Sequence, residues 1–217
     1  MHTKINLSKI IIFYLFFITL FSCDQVHDQT NEKNNSKSNK TISPINKKLI
    51  IQPLGQISII KIRNIERALK QYYRGQIIIN AAISLPTAAA SSIARKYHAH
   101  KLLQFLSTKT SGNSVILGVT EMDICMNKNG NPNFGIFGLG QRPGNSCVIS
   151  TCRLTGNNTS EKFTKVALHE IGHTQGLPHC LISTCLMSDL KGRDRFNEMA
   201  QFCNQCKSVF NRKGWAF

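Results

Sequence analysis

Residues 169–179 read His169-Glu170-Ile171-Gly172-His173-Thr174-Gln175-Gly176-Leu177-Pro178-His179. Residues four apart on a helix stack on one face, so His169 and His173 aim at a single point. Glu170, about 100° round the helix, falls beside that point without joining the pair. Gly176 accepts a positive φ, so the helix stops there and the chain reverses. The reversal returns His179 as a third imidazole. Three imidazoles leave the fourth position of a tetrahedral zinc open to water, which a catalytic site requires and a structural one does not. Glu170 then stands where it takes a proton from that water. His-Glu-x-x-His alone arises by chance in roughly one chain in 200 of this composition, and with Gly176 and His179 in roughly one in 100,000. Histidines that merely decorate a helix are thereby set aside.

Downstream come Cys180, Cys185, Met187, Cys203 and Cys206. Cys-x4-Cys followed by Cys-x2-Cys has the spacing of a closed four-thiolate zinc site, with two disulfides as the alternative in an exported chain. The histidine pattern is that of the metzincin zinc peptidases. Its continuation through the four cysteines and Met187 resembles the archaemetzincins. Gly118–Asp123, Phe134–Gly138, and Val148-Ile149-Ser150 with Arg153 are similar to that family too, so the resemblance spans about Leu49 to Lys207.

That resemblance implies an α+β, zincin-like fold, with a twisted mixed sheet and two long helices in an upper part and a small irregular lower part. It implies that His169, His173 and His179 bind a catalytic zinc, that Glu170 is the general base, and that Met187 forms a hydrophobic floor, the Met-turn. Cys180, Cys185, Cys203 and Cys206 are then the ligands of a second, structural zinc, two ions per chain. Some metzincins place a Tyr after the Met-turn; here Ser188 and Asp189 follow. The implied activity is peptide-bond hydrolysis, internal or from an N-terminus, on a peptide or protein substrate lying along an edge strand. The Asn133–Phe137 and Cys147–Ser150 region is the expected source of that edge. A surface protein that binds zinc or peptide without turnover is the alternative.

Outward from the motif, the N-terminus reads as an address. Lys4 and Lys9 precede the apolar run Ile10–Phe21, too short to span a bilayer and followed by Ser22-Cys23. The end of this run resembles the lipobox of bacterial lipoproteins, which implies a signal peptide over residues 1–22 and a lipid on Cys23. Residues 23–48 are polar, with too few apolar side chains to offset their conformational entropy, and read as a disordered tether. The metallopeptidase domain then covers 49–217. The expected location is export, with lipid attachment to a bacterial membrane.

Within the domain, Leu49–Ile60 and Gln76–Asn80 read as strands and Lys61–Tyr73 as a helix, with Ile62, Ile65 and Leu69 on its inner face. A second helix is expected from Thr87 to Leu106, with Ile93, Leu102 and Leu106 in the core. Ser114–Thr120, Asn133–Phe137 and Cys147–Ser150 read as short strands in a sheet covered on one face. Ser160–Thr174 reads as the motif helix, capped by Ser160, and Arg193–Phe202 as a last short helix. His98 and His100, two apart on a helix, diverge and receive no metal. Cys125, Cys147 and Cys152 remain after the lipid and zinc assignments; buried free thiols are the default, and Cys147 with Cys152 closing a small loop is the alternative. The net charge of +16 falls to +14 if Lys4 and Lys9 leave with the signal, and it favours anionic surfaces. Aromatic content of 8% with one Trp provides no stacking platform, so no specific nucleic-acid partner is expected. A monomer is.

Overall fold

The computed structural model describes residues 47–189 and 195–216. The signal peptide, Cys23 and nearly all of the tether lie outside those residues. The first strand, β1 (Lys48–Leu54), begins one residue before the expected domain start. It ends at Gly55, whose φ of 73° turns the chain. Ile59 and Ile60, expected to extend the strand, open α1 (Ile59–Lys70) and are exposed. That helix buries Ile62, Ile65 and Leu69 as its spacing dictates. β2 (Ile77–Ile79) follows.

The expected helix from Thr87 to Leu106 is not continuous. A 3-10 turn (Thr87–Ala89) is followed by irregular chain, β3 (Tyr97–His98) and only then α2 (Ala99–Ser107). Ser91 is the breaker: its hydroxyl donates to Asn133 Oδ1 at 2.8 Å and accepts the Ile93 N–H at 3.3 Å. Short polar side chains compete in this way with helical hydrogen bonds. Ile93 is therefore exposed, whereas Leu102 and Leu106 are buried. His98 and His100 do not share a helix; their ring centroids are 5.7 Å apart.

The remaining strands are β4 (Ser114–Thr120), β5 (Ile124–Lys128), β6 (Asn131–Ile136), β7 (Gly138–Gly140) and β8 (Ser146–Ser150). The main sheet runs β2-β1-β4-β8-β7, parallel except for β7, which lies antiparallel to β8 at one edge. A second small sheet joins β3, β5 and β6. The main sheet is covered on both faces, not one. Leu49, Ile51, Val115, Leu117, Cys147 and Ile149 pack toward α1 and α3 (Thr159–Thr174), while Leu54, Ile116 and Val148 pack with Leu102 and Leu106 of α2. Burial of both faces explains why β4 and β8 read as unbroken apolar runs rather than alternating ones. The fold is α+β, with α1 and α3 the longest helices among the described residues.

Beyond α3 the described residues form the small lower part, irregular except for α4 (Asn204–Asn211). The expected helix ending at Phe202 is absent among the described residues. Phe196, Met199 and Phe202 are buried at helix-like spacing, but Leu186 N–H to Gln201 O (3.0 Å) and Ala200 N–H to Thr184 O (3.0 Å) bind this segment to the cysteine loop instead. Cys147 and Cys152 do not close a loop. Both are free thiols: Cys147 is buried within β8, and Cys152 lies in the turn after the strand ends at Ser150, its N–H donating to Ser150 Oγ at 3.1 Å. Cys125 is buried like Cys147, whereas Cys152 is exposed.

Candidate metal centre

α3 starts after Asn158, which takes a left-handed φ of 63°, rather than at Ser160. Its last turns carry His169, Glu170 and His173, all buried. The helix ends in a Schellman motif: Leu177 N–H donates to Gly172 O at 3.0 Å and Gly176 N–H to His173 O at 2.9 Å, with Gly176 at φ 98°. This reversal swings Pro178 and His179 back over the helix. The ring centroids lie 4.7 Å (His169–His173), 4.9 Å (His173–His179) and 5.4 Å (His169–His179) apart. One ligand nitrogen from each ring falls within 4.8 Å of the others.

Hydrogen bonding decides which nitrogens face the centre. His169 Nδ1 lies 2.6 Å from Leu186 O and His173 Nδ1 lies 2.8 Å from Leu177 O. A carbonyl only accepts, so both Nδ1 atoms carry the proton and both Nε2 atoms present lone pairs. Those two Nε2 atoms are 3.1 Å apart. Two nitrogens on one tetrahedral zinc, at about 2.05 Å each, sit about 3.3 Å apart. Burial, reinforced by the neighbouring rings, depresses His169 to about 3. Burial also lowers His173, against the pull of Leu177 O, with help from the His179 and Arg142 charges. Both rings are thus kept neutral, the form that ligates. His179 is exposed, its Nδ1 4.0 Å from Asp189 Oδ2.

Glu170 lies beneath β7. A Cβ at Gly138 would sit 2.6 Å from Glu170 Cγ, and one at Gly140 would collide with the Glu170 carbonyl, so two glycines let the strand approach the helix. Gly140 N–H donates to the Glu170 carboxyl. Burial pushes this carboxyl from an ordinary 4.5 up to about 8, and the Gly140 bond opposes the shift. One consequence is measurable. Between about pH 4.5 and 8 the folded metal-free chain keeps the Glu170 proton and the unfolded chain releases it, so stability contributed by the protonated carboxyl is lost as pH rises through that window. At about 1.4 kcal/mol per pKa unit the loss amounts to a few kcal/mol. Urea unfolding of metal-free chain at pH 5 and pH 8 should show the decline, and Glu170→Gln should remove that part of the slope.

Below the rings, Met187 is fully buried, and a Cβ at Gly172 would strike its sulfur. Close by, Cys180, Cys185, Cys203 and Cys206 bring their sulfurs within 4.8 Å of one another. Cys180 and Cys203 Sγ are 3.8 Å apart, the separation of two thiolates about 2.3 Å from one tetrahedral zinc and nearly twice a disulfide bond. Cys185 Sγ accepts N–H bonds from Met187 (3.5 Å) and Cys203 (3.3 Å). Burial pushes the Cys203 thiol up, but hydrogen bonds from Cys206, Cys180 and Cys185 more than offset it and bring it down to about 7.

A cleft of about 500 Å³ opens over the imidazoles, walled by Met126, Phe134, Ile136, Phe137, Val166 and Phe196, with β7 along its rim. The open edge is therefore β7, not the two segments expected: β8 is interior and β6 belongs to the other sheet. Sequence reasoning also missed Arg142 and Asp189 as cleft residues. A three-residue strand with two glycines carries no β-propensity signal.

The sequence profile of peptidase family M54 matches residues 57–212. Archaemetzincin of Halobacterium salinarum is 28% identical over 176 residues, covering 74% of this chain and 98% of its own length. The crystal structure of archaemetzincin from Methanopyrus kandleri is similar with a TM-score of 0.64 at 28% identity, covering 78% of this chain and 96% of that one. The structure from Archaeoglobus fulgidus gives 0.62 at 28% identity, covering 75% and 99%. With the profile matched across most of its length and three imidazoles gathered under an edge strand, the chain belongs to peptidase family M54, the archaemetzincins, and is a zinc metallopeptidase.

Proposed function

We propose that His169, His173 and His179 hold the catalytic zinc, that Glu170 is the general base, and that Cys180, Cys185, Cys203 and Cys206 hold a second zinc that fixes the lower part. The observation that carries this reading is the pair of unprotonated Nε2 atoms facing each other at 3.1 Å. Two lone pairs held that close repel unless a cation sits between them. When bound, zinc lowers the pKa of its water toward 7 and polarises the carbonyl of the bond to be cut. The charge of a divalent ion also favours the ionised form of Glu170, reversing the effect of burial and making it a base. With the ion bound, Glu170 would take a proton from water in the cleft and pass it to the leaving amine.

The backbone phase of β7 supports an extended substrate. Gln141 N–H donates to Ser146 O at 3.0 Å and Ser150 N–H to Phe137 O at 2.9 Å, so odd-numbered residues bond β8. Gly138 therefore turns both its main-chain groups, and Gly140 its carbonyl, to the open side, where a peptide adds as a further strand, while Gly140 N–H is held by the Glu170 carboxyl. The chain acts as a monomer, exported after removal of residues 1–22, tethered by residues 23–48 and anchored to a bacterial membrane by a lipid on Cys23. Metal analysis tests the site assignment: two zinc ions per chain are expected, one readily removed by a chelator with loss of peptide hydrolysis. Full activity in chain stripped of both ions would overturn it.

A further inference from the structure

The cleft holds one cation whose position has a chemical consequence for the substrate. Arg142 is exposed two residues beyond the end of β7, and it lines the same cavity as the imidazoles. Its charge reaches His173, whose protonation it disfavours. Among the described residues no carboxylate forms an ion pair with it. Glu170 is committed to Gly140 N–H beneath the strand, and Asp189 faces His179. The second cleft cation, Lys128, sits against the apolar wall, its Nζ 5.0 Å from the Phe134 ring centroid.

Strand direction tells which part of a peptide meets Arg142. β7 runs from Gly138 to Gly140 and on toward Arg142. A peptide paired antiparallel to it, the more stable arrangement per residue, runs the opposite way. Its residues on the amino side of the scissile bond pass Arg142. Those on the carboxyl side pass Phe137 and the apolar wall formed by Phe134 and Ile136. Glu170, under Gly138 and Gly140, marks where the reacting carbonyl lies between them.

We propose that Arg142 makes this cleft select peptides bearing an acidic side chain on the amino side of the scissile bond, with a large apolar residue against the wall. This rests on the zinc and Glu170 assignment above. A guanidinium offers two parallel donors to a carboxylate and repels a lysine or a free α-amine at the same place. The pair stays solvent-exposed, so its effect is moderate and salt-sensitive.

The test uses the full-length, zinc-loaded Glu170→Gln chain and acetylated peptides with a central Phe, labelled with fluorescein at the carboxyl end. Each carries a Glu, Gln or Lys on the amino side of Phe; a further isomer carries the Glu on the carboxyl side. By fluorescence anisotropy the amino-side Glu peptide should bind about tenfold more tightly than its Lys counterpart, a gap that added salt narrows. Adding Arg142→Glu should reverse the order. Equal affinities, a preference that survives Arg142→Glu, or equal binding of the two Glu isomers would overturn the proposal, the last by showing that overall positive charge is responsible. The unmutated chain should hydrolyse the peptides in the same order. If it hydrolyses none while the binding order holds, the assignment of Glu170 and zinc falls and the role of Arg142 stands.

Discussion

Glu170→Gln should retain both zinc ions and the fold yet lose about a thousandfold in kcat, within the range for removal of a positioned general base. The substitution keeps the volume and the hydrogen bond from Gly140 N–H while removing basicity. It touches no ligand nitrogen. Peptide affinity should change little, because the side chain sits beneath β7 and acts on a proton rather than on the substrate's main chain. Metal content and steady-state kinetics measured on the same preparation separate the two effects. A Gln variant that cleaves at the native rate would remove Glu170 from the chemistry. One that loses its zinc would make it a structural support for the imidazoles.

The second large effect is on stability. Replacing Cys185 and Cys203 together with Ser should reduce the zinc count by at least one and lower the melting temperature by about 10 °C or more. Structural zinc contributes an apparent 10 kcal/mol or more in small zinc domains, comparable to the whole stability of a typical domain. Here part of that is offset, because Phe196, Met199, Phe202 and Phe210 anchor the lower part in the same core as α1, α3 and the main sheet. Hydrolysis should fall too, since Cys180 follows His179 directly and Cys180 N–H donates to Met187 O at 2.7 Å, joining the thiolate site to the floor under the rings. Reagents distinguish zinc from disulfides in the native chain. A chelator strong enough to strip thiolates should lower the melting temperature and a reductant should not; the opposite pattern would assign two disulfides.

The site was far more legible in the sequence than the chain around it. His169, Glu170, His173, Gly176 and His179 lie within one helix and its cap, where periodicity and a single glycine conformation set the geometry. The four cysteines announced themselves by spacing, and α1 by its apolar stripe. The failures fall where tertiary contacts overrode local pattern. Ser91 broke a helix whose apolar spacing continued through it, by bonding Asn133 from a distant strand. Phe196, Met199 and Phe202 kept helical spacing while the cysteine loop took their backbone bonds. β7 exists because β8 offers it partners and α3 needs its glycines, and neither condition is written in residues 138–140. Arg142 and Asp189 entered the cleft with those segments.

The most direct test is anomalous diffraction at the zinc absorption edge from crystals grown with zinc. A peak about 2.1 Å from His169 Nε2, His173 Nε2 and one nitrogen of His179 is expected, together with a second about 2.3 Å from the four sulfurs. Imidazoles turned away from one another, with no peak between them under saturating zinc, would contradict the assignment of this site.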